Sequence, residues 1–313
     1  MTRAGSALAI TSAAAGIAAA VLVAASPRAE SKPADRAGAN VGFTKAAAGA
    51  AADVSSNWSG YVANGIGSTG NTASPSMAYT DVTGTWTQPT ATCAAGGEST
   101  STALWVGIGG YSTSSQKLEQ AGTSVDCDSS GRATYYAWYE LVPADSVTIR
   151  HLKVNPGDVV TSTVLINGNE VLVQVNNRTR HTSFTKRLTM QQPDLTSAEW
   201  IVEAPSLCSG NSCQTLPLAD FGSTGFAFAT AASAAGQAGT IQSPSWTTTS
   251  ISLFEGGRRF GGPGSQQGAV TATPGALAYN GSLFPVTFNG GPGAAVVSTN
   301  TIPGAKLVHG APR

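Results

Sequence analysis

The residues best suited to chemistry lie in the segment Ser197 to Glu203, which reads Ser-Ala-Glu-Trp-Ile-Val-Glu. If this segment is a β-strand, Glu199 and Glu203 point to the same face, because side chains alternate along a strand. Apolar residues lie on both of its faces. A strand that carries two carboxylates in such surroundings forms either a solvated outer surface or the floor of a cleft.

A search for common catalytic signatures leaves carboxylates, amides and aromatic residues as candidates. The three histidines are isolated, and no Gly-x-Ser-x-Gly, His-Glu-x-x-His or P-loop pattern is present. We therefore expect no cofactor and no metal. The polar candidates and the aromatic residues that would line a cleft beside them are Gln120, Glu140, Glu199, Glu203, Trp58, Trp105 and Trp138.

The composition predicts an all-β protein. Charged residues make up 11% of the 313 residues, against a usual value of about 25%. Helical periodicity is nearly absent, and about a dozen short alternating segments are separated by turn residues. Those near the candidates are 103–110, 118–125, 134–142 and 197–203. Such a pattern is typical of a single-domain sandwich of two antiparallel sheets.

The two ends of the chain differ from the middle in composition and in the kind of segment that they predict. Residues 1–29 have the layout of a secretory signal peptide, with Arg3 before an apolar run. Residues 30–53 are Ala/Gly-rich and predict a pro-segment or linker. We assign 54–289 to the β-sandwich domain and 290–313 to a Gly/Pro/Ala-rich tail. A membrane anchor is the alternative for the first segment, but its weak hydropathy favours export, which predicts a secreted, extracellular protein.

Export makes the four cysteines interpretable as disulfides. Cys208 and Cys213 enclose only four residues, so we expect them to pair, which leaves Cys93 and Cys127 as the second bridge. A zinc site is the alternative, but the spacings lack a Cys-x-x-Cys pair and no histidine is near.

The charge distribution limits the partners of the domain. Between Val54 and Glu255 there are 8 basic and 14 acidic residues, a net charge of −6. This argues against nucleic acid or an anionic membrane as a partner. We expect a monomer without stable membrane association after signal cleavage.

Five motifs in order resemble the glutamic peptidases, also called eqolisins. They are Ser56-Asn57-Trp58-Ser59-Gly60, Trp105-Val106-Gly107-Ile108-Gly109, Gln120-Ala121-Gly122, Tyr135-Tyr136-Ala137-Trp138-Tyr139-Glu140 and Ala198-Glu199-Trp200-Ile201-Val202-Glu203. The resemblance covers roughly residues 55 to 288. It implies a concanavalin A-like β-sandwich, polypeptide substrates and a catalytic pair on a concave face.

By this resemblance the catalytic residues are Gln120 and Glu203. Glu203 would activate water as general base and return the proton as acid, and the Gln120 amide would stabilise the oxyanion. The resemblance thus implies an acid-acting endopeptidase that is made as a zymogen. Trp58, Trp105, Trp138 and Glu140 would bind substrate or support the site. The sequence departs from the family where Gly109 and Tyr136 replace acidic residues and Glu119 replaces an apolar one.

Two other functions fit the residues without the resemblance. A glycoside hydrolase on the same fold would use Glu140 and Glu203 as its carboxylate pair. A lectin-like binding module would have no turnover. Gln120 discriminates between the two enzyme classes, because a glycosidase has no evident use for an amide at that position.

Overall fold

The computed structural model describes residues 44–45, 52–65, 77–112, 117–209, 212–255, 269–290 and 306–308. The predicted signal peptide, residues 1–29, lies outside these ranges. Most of the predicted pro-segment and of the C-terminal tail does too. No helix in the described ranges is long and apolar enough to cross a membrane.

The described residues form twenty strands. The first ten are β1 (Thr44–Lys45), β2 (Ala52–Ser55), β3 (Trp58–Asn64), β4 (Tyr79–Thr87), β5 (Thr100–Ile108), β6 (Leu118–Cys127), β7 (Ala133–Val142), β8 (Val147–Thr148), β9 (Val159–Asn167) and β10 (Glu170–Asn177). The others are β11 (Thr182–Thr189), β12 (Ser197–Glu203), β13 (Ser206–Ser209), β14 (Ser212–Thr215), β15 (Ser223–Ser233), β16 (Ala238–Thr240), β17 (Thr247–Glu255), β18 (Ala269–Pro274), β19 (Phe284–Phe288) and β20 (Lys306–Val308).

The strands form two antiparallel layers, which confirms the predicted β-sandwich. The front sheet runs β8-β7-β6-β5-β12-β3-β17, and the back sheet runs β11-β10-β9-β4-β15-β19. Strand β18 pairs with both β17 and β19 and so joins the sheets at one edge. The short strand β2 runs parallel to β17.

Strict alternation explains why the back sheet has only one buried face. In β9, Val160, Ser162, Val164 and Ile166 are buried, while the residues between them are partly exposed. The buried set packs against the apolar side of the front sheet, where Trp200 Nε1 donates to the Thr83 carbonyl at 2.8 Å. Such bonds satisfy polar atoms inside the core, where an unpaired donor would be costly.

Both predicted disulfides are present. Cys93 pairs with Cys127 across a Cα distance of 5.4 Å, and Cys208 pairs with Cys213 across 4.0 Å. The second bridge ties β13 to β14, and β20 adds a third strand beside β13. Part of the predicted C-terminal tail is therefore an ordered strand.

The boundary predicted between residues 53 and 54 falls inside a strand. Ala52–Ser55 pairs with Ser250–Leu253 of β17, and the Tyr111 hydroxyl donates to Asp53 Oδ2. The sandwich therefore begins slightly before Val54.

Candidate active site

The front sheet has one face toward the back sheet and one face away from it, which we call the site face. Strand β12 lies between β3 and β5, and β6 and β7 follow. The register places candidate residues directly opposite one another in rows. The Gln120 row contains Glu199, Gly107, Gln120 and Glu140. The Trp105 row contains Ile201, Trp105, Gly122 and Trp138, and the Glu203 row contains Glu203, Ala103, Ser124 and Tyr136.

The predicted site residues therefore share one face of one sheet. Gln120, Glu140 and Glu203 are each 0% exposed. Trp58 lies opposite Glu203 on β3, and its ring meets that of Trp105 edge to face at a centroid distance of 5.1 Å. The family resemblance implied a common face for Gln120 and Glu203, and strand alternation placed Trp138 beside Glu140.

Gln120 and Glu203 do not stand opposite each other. They lie on strands separated by β5, and their rows are separated by the Trp105 row. The indole of Trp105 occupies the intervening position. Its Nε1 donates to Glu203 Oε2 at 2.7 Å, and its Cζ3 lies 2.9 Å from where a Cβ on Gly107 would be. Trp105 thus links the Glu203 carboxylate to the Gln120 row.

Glu203 is held through both of its carboxylate oxygens. Besides the Trp105 bond to Oε2, Asn57 Nδ2 donates to Oε1 at 3.1 Å. Asn57 is itself fixed, because the Ser55 hydroxyl donates to its Oδ1 at 3.1 Å. Two neutral N–H donors favour the ionised form of a carboxylate without introducing a competing charge. They also fix its orientation.

Gln120 is oriented by its neighbour in the next strand. Its Nε2 donates to Glu140 Oε2 at 3.2 Å. An amide nitrogen carries two hydrogens, so this bond leaves one N–H for another acceptor. The Gln120 Oε1 atom has no hydrogen-bond partner among the described residues. Glu140 therefore supports the site by positioning the amide.

Glu199 differs from Glu203 in its surroundings. Burial raises the pKa of Glu199 well above its usual value, and the nearby Ser197 hydroxyl offsets part of this effect, while the charges of Asp194 and Glu119 raise the pKa further. Apart from this hydroxyl, neither of its oxygens has a hydrogen-bond partner in the described part of the chain. Glu199 is therefore a neutral acid at acidic pH. It nevertheless shares a row with Gln120, across Gly107.

Gly109 and Tyr136 occupy positions at which the family carries acidic residues. In this chain, carboxylates from other positions lie beside both of them. Gly109 has a φ of +88°, and a Cβ on it would lie 2.8 Å from Cβ of Asp194. The Asp194 carboxylate accepts from the backbone nitrogen of Gly110 at 3.1 Å. Tyr136 is hydrogen-bonded to Asp126. Each replacement thus has an acid beside it, which the sequence motifs did not indicate.

Several supporting residues were missed by sequence reasoning. Asn57 lies in the first motif and Ser55 just before that motif, but the sequence indicates no role for either, because the contact of Asn57 with Glu203 joins positions 146 residues apart. Asp194 and Asp126 carried no motif signal. No group of three His, Cys, Asp or Glu residues able to hold a metal ion occurs in the ranges described above.

Comparisons with known proteins identify the family of the chain. The sequence model of the Peptidase A4 family matches residues 56–254, more than half of the chain. No curated protein sequence matches the chain significantly.

Two solved structures share the fold. Scytalido-glutamic peptidase, solved with a transition-state analog inhibitor, is 20% identical with a TM-score of 0.58 over 74% of this chain and 98% of that chain. SCP-B, a member of the eqolisin family solved with the tripeptide Ala-Ile-His, is 20% identical with a TM-score of 0.54 over the same shares. The family match extends this likeness from fold to chemistry. The chain therefore belongs to the Peptidase A4 family, the glutamic peptidases or eqolisins, and is a peptide hydrolase.

Proposed function

We propose that the protein is a secreted, acid-acting endopeptidase in which Glu203 is the general base and acid and Gln120 stabilises the oxyanion. The observation that carries this assignment is the anchoring of Glu203. Neutral donors hold both of its oxygens, on the same face as an amide that is itself oriented by Glu140.

The reaction can be written with these two groups alone. Ionised Glu203 takes a proton from a water molecule while the water oxygen attacks the peptide carbonyl carbon. The carbonyl oxygen gains negative charge and accepts the available N–H of Gln120. Protonated Glu203 then gives its proton to the departing nitrogen as the C–N bond breaks. The products are a carboxylic acid and an amine, and Glu203 is ionised again.

Trp105 would form the floor between the two groups. Because its indole links Glu203 to the Gln120 row, the scissile peptide group would lie over the ring. The carbonyl oxygen would face Gln120, and the attacking water would lie on the Glu203 side. Trp58 and Trp138 flank this floor on the same face and would bind neighbouring parts of the substrate.

The strand register offers one competing base, Glu199. Glu199 lies in the same row as Gln120. We favour Glu203, because the raised pKa of Glu199 keeps it protonated in acid, where it has no basic lone pair to offer. Parallel Glu199→Gln and Glu203→Gln variants distinguish the two assignments.

The burial of the site supports synthesis as a precursor. Gln120, Trp105 and Glu203 are each 0% exposed in the full-length chain, as expected if the site of a precursor is closed. We propose that the predicted segment 30–53 is an inhibitory pro-segment up to the start of β2 at Ala52. Because Ser55 positions Asn57, a mature chain that starts before Ser55 should be active.

Secretion and processing are tested by expressing the complete chain and sequencing the N-terminus of protein from the medium and from cells. We expect a first cleavage near residue 30 and a second close to the start of β2 at Ala52, with activity appearing at the second. Full activity of the uncleaved chain would contradict the pro-segment proposal. Retention of the full-length chain by the cells would contradict secretion.

A further inference from the structure

The positive charge of the domain is concentrated in one part of the chain. Of the 8 basic residues between Val54 and Glu255, six lie within residues 150–187, whereas only 2 of the 14 acidic residues lie there. This segment has a net charge of +4, and the remainder of the range has −10. We call the six side chains the basic edge: Arg150, Lys153, Arg178, Arg180, Lys186 and Arg187.

The fold brings these residues to one border of the sandwich. Strand β11 is the outer strand of the back sheet and pairs only with β10 among the described strands. The turn at 178–181 joins these two strands, and the loop after β8 lies beside it. Asn177 Nδ2 donates to the Lys153 carbonyl at 3.0 Å, and the rings of His151 and Phe184 lie 5.5 Å apart. The loop, the turn and β11 therefore form one continuous surface.

The basic edge is built on a fixed support. Asn177 is 1% exposed, and its Nδ2 also donates to Asp158 Oδ2 at 2.8 Å. Its Oδ1 accepts from the backbone nitrogen of Arg180 at 3.1 Å. The backbone nitrogen of Arg178 donates to the Val159 carbonyl at 2.7 Å. Little conformational freedom would thus be lost in the turn when a ligand binds, which favours affinity.

Most of the positive charge on this surface is not neutralised locally. Each of the two acidic residues in the segment forms an ion pair with one arginine. Asp158 pairs with Arg180 at 2.6 Å, and Glu170 pairs with Arg187. The other four cations, Arg150, Lys153, Arg178 and Lys186, are exposed and form no ion pair within the described residues. An excess of exposed cations attracts an anionic polymer and repels a cationic one.

The side chains between the cations indicate which polymer fits. Thr182, Ser183 and Thr185 are exposed and offer hydroxyl groups along the edge strand. Phe184 stacks on Tyr139 at 5.6 Å, and no large apolar or aromatic side chain of β11 is exposed. Nucleobases and membranes are usually bound with exposed aromatic or apolar groups. Because β11 presents hydroxyls and cations without such groups, its surface suits an acidic polysaccharide.

We propose that the basic edge binds an acidic polysaccharide and so localises the enzyme on such polymers. The surface lies on the back sheet and its neighbouring loop, whereas the catalytic candidates lie on the front sheet. Binding there would not cover the site face. The proposal does not depend on which glutamate is the catalytic base.

The test measures binding of polygalacturonate to the full-length protein by calorimetry, at about pH 6, where carboxylates are ionised. One variant carries Arg178→Gln with Lys186→Gln. The matched control carries Lys117→Gln with Arg132→Gln, which removes the same charge outside the basic edge. We expect the first variant to bind about tenfold more weakly or worse and the control to change less than about threefold. Binding should also weaken strongly between about 0.05 M and 0.5 M salt.

Three results would overturn the proposal. The first is absence of polygalacturonate binding by the wild-type protein at low salt. The second is an equal loss of binding in both double variants, which would show a response to net charge alone. The third is tighter binding of single-stranded DNA or of phosphatidylserine vesicles, which would assign the surface to another class of partner.

Discussion

Trp105 donates its indole N–H to Oε2 of Glu203 at 2.7 Å, and both side chains are 0% exposed. A hydrogen bond to an ionised group contributes about 1.5–3 kcal/mol, more than one between neutral groups. The bond therefore fixes the orientation of the carboxylate and contributes to the stability of the front sheet. Under the proposed mechanism, Trp105 therefore orients the catalytic carboxylate as well as lining the cleft.

Replacing Trp105 by Phe should lower kcat by about tenfold or more, because Glu203 loses one of its two fixed donors while most of the aromatic packing remains. The measurement is steady-state cleavage of a denatured protein at acidic pH. Trp86→Phe is the matched control, since Trp86 Nε1 donates to Thr123 in the core at 2.9 Å, away from the site. If both variants lower kcat equally, the Trp105 hydrogen bond has only a structural role.

Replacing Asn57 by Asp should shift the acidic limb of the pH–activity profile. The new carboxylate would lie about as far from Glu203 Oε1 as the amide does now, 3.1 Å. Two carboxylates at that distance do not both ionise easily, so the pair would hold a proton to higher pH. The midpoint of the acidic limb is expected to rise by about one pH unit or more. Ser55→Ala, which loosens Asn57 without adding charge, should lower activity and leave the limb in place.

Replacing Gln120 by Ala should lower kcat by about 10²–10³, the usual effect of removing an oxyanion donor. Glu140→Gln keeps the size of the neighbouring side chain but alters the acceptor that orients the amide at 3.2 Å. Its effect should be smaller and should fall on kcat more than on KM. A Gln120→Ala enzyme with wild-type kcat would contradict the role given to the amide.

Glu119 should make the protein more stable in acid than at neutral pH. Burial, followed by the charge of Asp194, raises its pKa from 4.5 to about 9, an effect that Lys117 reduces. A raised carboxyl pKa means that the folded state keeps a proton which the unfolded state releases above about pH 4.5. Stability is therefore fully present below that pH and declines as the pH rises toward about 9, with a loss of about 3 kcal/mol by pH 7.

Glu119→Gln should remove most of this dependence. Urea unfolding at about pH 4.5 and pH 7 should show a smaller difference for Glu119→Gln than for wild type. Glu170→Gln, at a side chain that is 53% exposed, should retain the wild-type difference. An unchanged pH dependence in Glu119→Gln would exclude Glu119 as the source of acid stability.

The sequence predicted the front sheet better than its surroundings. The predicted strands 118–125, 134–142 and 197–203 agree closely with β6, β7 and β12 because their alternation and aromatic content are strong. Strand β11 was missed because Thr182–Thr189 is an exposed edge strand whose outward charges weaken the pattern. Residues 147–154 alternate as a strand would, but only Val147–Thr148 forms one, since the later apolar residues enter the core from a loop.

The site could be predicted as a set of residues but not as an arrangement. Alternation correctly placed Glu199 and Glu203 on one face. Which of them stands opposite Gln120 depends on register across three strands, which local sequence does not encode. The anchoring of Glu203 by Asn57 joins β12 to the start of the domain and needed the folded structure.

The most direct test of the proposed mechanism compares Glu203→Gln with Glu199→Gln in the processed enzyme, using kcat/KM for a denatured protein substrate at acidic pH. Both substitutions preserve side-chain size, so the two variants differ only in which carboxyl group is lost. We expect Glu203→Gln to lose at least about a thousandfold and Glu199→Gln to remain within about tenfold of wild type. Retention of activity in Glu203→Gln together with its loss in Glu199→Gln would contradict the account and make Glu199 the partner of Gln120.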